Sequence, residues 1–147
     1  MGEINVHAST TIARPAAEVL AVLHDIAGQS SWWPGQYLSE PLEVDDEGLV
    51  LRARIGNDIK VAKEEFEVVY DHGGGGEGYS WQLASPTLSQ RAQRGRWSVT
   101  PAGEGCEVGI DFALEPLLPL PAFLLRKAVT DTIKGALAAL RARCEQA

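Results

Sequence analysis

The stretch from Pro119 to Ala147 does most to limit what this chain can fold into. Pro119 and Pro121 lead into a run whose apolar positions recur every three or four residues: Phe123, Leu125, Ala128, Val129, Thr132, Ile133, Ala136, Leu137 and Leu140. Arg126, Lys127, Asp131, Lys134, Arg141 and Glu145 occupy much of the other side. The spacing predicts one amphipathic helix over residues 122–145, ~36 Å long at 1.5 Å per residue. Almost everything before it reads as strand. A single helix with so wide an apolar stripe needs a curved sheet to lie in, and the bottom of that concavity is where a ligand would sit.

The strand reading rests on alternation and turn residues. Ile4, Val6, Ala8, Thr10 and Ile12 alternate with polar neighbours, the pattern of a half-buried strand. Pro15 then suits the first turn of a short helix carrying Val19, Leu20, Val22 and Leu23. A second brief helical turn runs from Ile26 towards Trp32, before Pro34-Gly35 breaks it. Further strands are expected at Tyr37–Val44, Leu49–Ile55, Asp58–Tyr70, Gly78–Leu83, Leu88–Thr100 and Cys106–Glu115. Among the turns between them are Gly56-Asn57 and the glycine run 73–76. That run lacks the lysine and hydroxyl residue of a phosphate-binding loop and joins two strands, so it reads as a hairpin connection. Short turns throughout imply an antiparallel meander, because parallel pairs need long crossovers.

A chain of 147 residues, with no internal repeat and no linker, is expected to form a single domain, 1–147, large enough to hold a core and a cavity. Its net charge of −7 argues against nucleic acid as a partner, which would call for a basic stripe. No apolar run approaches the ~20 residues of a spanning helix, so no stable membrane insertion is expected. The start, Met1 to Asn5, has no export signal; a cytoplasmic location with Cys106 and Cys144 reduced follows. His7, His24 and His72 are far apart, and no CxxC, HExxH or GxSxG spacing is present. No metal or cofactor is called for. The oligomeric state is not specified.

Several local motifs carry a resemblance. Ile12-Ala13-Arg14-Pro15 precedes the first helix; Asp25-Ile26 and Trp32-Trp33-Pro34 follow it. Later come Gly95-Arg96-Trp97-Ser98-Val99 and the ending Leu118-Pro119-Leu120-Pro121-Ala122-Phe123-Leu124-Leu125-Arg126. With the element order, these resemble the SRPBCC/START-like superfamily. The similarity is greatest to its polyketide cyclase/dehydrase and coenzyme Q-binding-like branch. The resemblance implies an α+β helix-grip fold: a seven-stranded curved antiparallel sheet wrapped around a long C-terminal helix, with two short helices between strands 1 and 2. It implies a hydrophobic small-molecule ligand, such as a lipid, quinone or polyketide-like compound. Fold alone does not fix the chemistry.

In such a fold alternation assigns the inward residues. They are Leu49, Leu51, Ala53 and Ile55; Ala62, Glu64, Phe66, Val68 and Tyr70; Tyr79, Trp81 and Leu83; Arg91, Gln93, Gly95, Trp97 and Val99; and Val108, Ile110, Phe112 and Leu114. The candidate ligand-binding set is Trp33, Tyr37, Glu64, Phe66, Tyr70, Tyr79, Trp81, Arg91, Gln93, Phe112, Leu125 and Val129. An inward arginine needs a partner, and an Arg91–Glu64 pair would supply one. Alternatively the strands bulge at their ends and leave Glu64, Arg91 and Gln93 solvated. The favoured function is binding or transport of the apolar molecule. One alternative is a cyclase/dehydratase using Arg91, Gln93, Tyr70, Tyr79 and Glu64. The other is a ribosome- or protein-interaction module using Arg126, Lys127 and Lys134.

Overall fold

A computed structural model describes residues 2–59, 62–73 and 77–146. The elements run β1 (Ile4–Ile12), α1 (Ala16–His24), a 3₁₀ helix (Ile26–Ser31), β2 (Gln36–Val44), β3 (Val50–Ile59), β4 (Ala62–Asp71), β5 (Gly78–Leu83), β6 (Gln90–Ala102), β7 (Gly105–Pro116) and α2 (Ala122–Glu145). The seven strands form one antiparallel sheet in the order β1-β7-β6-β5-β4-β3-β2. Strand β1 therefore crosses to the far edge, and β2 is the other edge. Pro41 sits in β2, where an absent N–H costs no ladder bond on the open side.

Helix α2 has the extent that the sequence predicts, and it buries Leu125, Val129, Ile133, Ala136, Leu137, Leu140 and Cys144. Phe123 departs from the expected stripe and is 71% exposed. At 3.6 residues per turn it lies about 200° around the helix from Leu125, on the side of Lys127 and Lys134. The far end of α2 is tied to the β1–α1 corner. Arg14 Nε donates to the Cys144 carbonyl at 3.2 Å, and the Ala13 N–H donates to Glu145 Oε2 at 2.8 Å. Both cysteines are free and buried, and burial is the first cause of each thiol's raised pKa. They behave as packing groups.

One turn differs from expectation. Gly56-Asn57 makes no reversal: β3 continues to Ile59, and its ladder with β4 runs from Arg52↔Val69 to Ile59↔Ala62. Residues 60–61, which the sequence places within the fourth strand, lie outside the described residues, as do 74–76 of the glycine run. Gly56 is needed for space. A Cβ there would stand 2.8 Å from the Tyr37 ring, so the absent side chain admits that ring beside the strand. On β3 the buried position near the strand start is Val50, whereas Leu51 is exposed.

Candidate ligand cavity

Between the inner face of the sheet and α2 lies a cavity of about 110 Å³. Its walls come from alternate residues of neighbouring strands, closed by Leu125, Val129, Thr132 and Ile133 of α2. On β4 the whole alternating set Ala62, Glu64, Phe66, Val68 and Tyr70 lines it. Tyr79 and Trp81 of β5, Gln93 and Trp97 of β6, and Phe112 and Leu114 of β7 complete most of the far wall. Trp33 reaches in from beyond the 3₁₀ helix, buried edge-on against Trp81 and Trp97, with ring centroids 6.4 and 5.9 Å away. Its neighbour Trp32 is half-buried and leans on Trp97.

Two of the expected residues lie elsewhere. Tyr37 projects to the outer side, with its hydroxyl 3.5 Å from Glu65 and Lys63 over its ring. Arg91 is also outside. The β6–β7 register slips between Gln90 and Ala92, and the extra residue at this bulge turns Arg91 away from the cavity. Its side chain is 62% exposed, and Nε lies 3.2 Å from Glu115 Oε1. No Arg91–Glu64 pair forms. The bulge was one of the two readings open from sequence, and it applies to Arg91 alone: Glu64 and Gln93 remain inward.

The bulge also brings Gln90 and Gln93 onto the same side, and a hydrogen-bonded chain runs along the polar end. Trp81 Nε1 donates to Gln93 Oε1 at 3.0 Å, and Gln93 Nε2 donates to Gln90 Oε1 at 2.8 Å. Gln90 Nε2 then donates to Glu64 Oε2 at 2.9 Å. The same oxygen accepts from Thr87 Oγ1 at 2.8 Å and Ser89 Oγ at 2.5 Å. Among the described residues no cation pairs with this half-buried carboxylate; three donors replace its lost water. Gln29 and Gln36 form a second buried pair, with Nε2 of the first donating to Oε1 of the second at 3.1 Å.

Sequence reading missed Gln29, Gln36, Asn57, Ser89, Gln90 and Thr87. A glutamine or serine beside a turn carries no inward or outward mark, and Gln90 became inward only through a bulge that alternation does not foresee. The one available hint was the polar cluster Thr87-Leu88-Ser89-Gln90 beside a Glu64 already assigned inward.

At the aromatic end, the Tyr79 hydroxyl donates to the Leu23 carbonyl at 2.7 Å. Burial raises the Tyr79 hydroxyl pKa well above its usual value, and burial likewise raises that of Tyr70. Neither phenol is tuned to exchange a proton near neutrality. Next to Tyr79, outside the cavity lining, His24 and His72 stand with ring centroids 5.4 Å apart. Among the described residues there is no group of His, Cys, Asp and Glu arranged to hold a metal ion.

Burial, and after it the charge of His72, lowers the His24 pKa. The unfolded chain therefore holds the proton more tightly than the folded one. The stability carried by neutral His24 is complete above about pH 6.5 and is lost as pH falls from there towards the lowered folded value. Unfolding midpoints measured between pH 7.5 and 5 should fall with acidification, and His24→Gln should flatten part of that slope. An unchanged slope in the variant would remove His24 from the account.

A sequence model of the family described as polyketide cyclase/dehydrase and lipid transport matches residues 3–145. Among curated proteins nothing matches the sequence. Solved structures share the fold across nearly the whole chain. A START superfamily protein from Mycobacterium smegmatis superposes with a TM-score of 0.88 at 20% identity, covering 99% of each chain. The Zhui aromatase/cyclase from Streptomyces sp. R1128 gives 0.83 at 16% identity, over 98% of this chain and 94% of that one. A STAR-related lipid transfer protein from Xanthomonas axonopodis gives 0.74 at 21% identity, over 97% and 86%. At these identities the likeness is one of fold.

Proposed function

Because the chain belongs to the polyketide cyclase/dehydrase and lipid transport family, we propose that it binds a small hydrophobic molecule in the cavity between sheet and α2. The observation that carries this reading is the hollow itself: apolar and aromatic walls with a few polar groups gathered at one end. Its volume of about 110 Å³ sets a scale. An engineered cavity of roughly 150 Å³ lined by Leu, Ile and Phe accepts benzene. The hollow is smaller than that, so a single ring is the upper limit of what enters without rearrangement, and a substituted ring needs the walls to give slightly. A longer lipid, quinone or polyketide requires the walls to move apart.

Binding is favoured over cyclase chemistry by what the polar groups are doing. An aldol cyclisation calls for a cation or donor at the developing enolate and a proton donor of suitable pKa. Arg91, the residue suited to the first task, is paired with Glu115 outside the cavity. Tyr79 has committed its hydroxyl proton to Leu23. Among the described residues no helix is long and apolar enough to cross a membrane.

Native mass spectrometry of protein purified without added lipid is expected to show a retained small molecule. A ligand present at a hundredfold excess over its Kd should stabilise the fold by about 2.7 kcal/mol. Val129→Phe, which fills the hollow from the α2 side, should leave the fold intact and abolish that shift. Equal stabilisation of wild type and Val129→Phe would place the ligand outside the cavity and end this reading.

A further inference from the structure

We infer that the cavity selects guests whose polar end is a hydrogen-bond donor, a hydroxyl or a protonated amine, and rejects those ending in a carboxylate. This rests on the binding function proposed above and specifies the ligand's head. Gln36, Asn57 and Glu64 lie abreast on three neighbouring strands, in the registers Gln36↔Asn57 and Asn57↔Glu64, and all three line the cavity. Asn57 Oδ1 is buried and has no hydrogen-bond partner. Beside it, the three hydrogen bonds to Glu64 all converge on Oε2, so among the described residues none reaches Oε1. Two acceptors thus stand side by side at the polar end with no donor supplied to them among the described residues.

The lining as a whole has the same bias. Among the described residues Glu64 is its single charged one, and no described Lys, Arg or His contributes to the wall. An unpaired buried acceptor is costly, and a guest that brings a proton to it recovers that cost on binding. A hydroxyl donates one proton to Asn57 or Glu64, and an ammonium donates to both while meeting the carboxylate's charge. A carboxylate head brings only acceptors. It would face Glu64 with like charge in a poorly solvated space and would find no cation among the described lining residues. Discrimination built on a missing partner is stronger than discrimination by size.

Three compounds of matched size separate the possibilities: benzyl alcohol, benzylamine and benzoate, with toluene as the headless control. Trp33, Trp81 and Trp97 line the cavity, so intrinsic fluorescence reports on occupancy. The alcohol and the amine are expected to bind at least tenfold more tightly than benzoate and more tightly than toluene. In Glu64→Gln the amine should lose about tenfold, and its lead over benzoate should shrink to a few-fold. In Asn57→Leu the alcohol should fall to the level of toluene. Benzoate binding as tightly as the alcohol to the wild type, with toluene also bound, would overturn the selection rule and leave the binding function standing. No response to any of the four would overturn both. The wild-type comparison needs no substitution, so it holds even if a variant does not fold.

Discussion

Trp97→Ala is expected to lower the stability of the fold by about 3–5 kcal/mol, the cost of truncating a fully buried large aromatic side chain. Trp97 is 1% exposed and sits at the centre of β6, opposite Tyr79 of β5 and Ile110 of β7. Its ring meets both Trp32 and Trp33 edge-on, which ties the segment after the 3₁₀ helix to the sheet. Removing the indole enlarges the existing hollow instead of letting the walls collapse, because strands β5, β6 and β7 are held by their ladders. Domains of this kind are stable by only about 5–15 kcal/mol, so the loss is a large share of the total. The unfolding midpoint should drop by roughly 6–20 °C at this chain length. Chemical denaturation with an unchanged slope in denaturant would confirm that the native state, and not the unfolded ensemble, has been altered. A loss under about 1 kcal/mol would mean that neighbouring side chains refill the space, and the hollow would then be far more plastic than its aromatic lining implies.

The parts of the fold that were legible in the sequence are those where one periodicity runs unbroken. Helix α2 follows from residues 122–145 because two prolines mark its start and Leu125, Val129, Ile133 and Leu140 repeat on one side. Strand β4 follows from Ala62 to Tyr70 because nothing interrupts its alternation, and all five even-numbered residues line the cavity. Where the backbone departs from a period, the reading fails locally. One extra residue at Arg91 exchanges it for Gln90 on the inner side, although Gln93, Gly95 and Trp97 beyond the bulge keep the expected facing. Gly56-Asn57 carries the composition of a hairpin turn, yet its glycine answers a tertiary demand from Tyr37, a residue distant in sequence. The polar end is illegible for the same reason. Glu64, Thr87, Ser89 and Gln90 converge only once β4 and the loop before β6 have been placed side by side. Their hydrogen bonds span sequence separations of 23 to 26 residues.

Gly95→Ala should cost about 3 kcal/mol, the upper end of what overpacking a core produces, and should also close the cavity. A Cβ at this position would lie 2.1 Å from Cζ2 of Trp81 and 2.4 Å from Cη2, well inside contact distance. The indole must therefore move by more than an ångström. It has little freedom to do so: Nε1 is bonded to Gln93, and the ring is bracketed by Trp33, Tyr79 and Phe112 at 6.4 to 6.5 Å. The open direction is into the hollow that Trp81 itself lines. The substitution should thus destabilise the fold and exclude the guest through a single movement. Trp81→Leu removes the ring atoms that the new methyl group meets, so the double variant Gly95→Ala/Trp81→Leu should lose less than the sum of the two single losses. A coupling of about 1 kcal/mol or more is expected for residues in direct conflict, within the 0.5–3 kcal/mol range known for neighbouring sites. Strict additivity would show that Gly95 is required for the conformation of β6 and not for the close approach of Trp81. In that case ligand binding should survive in whatever fraction of Gly95→Ala remains folded.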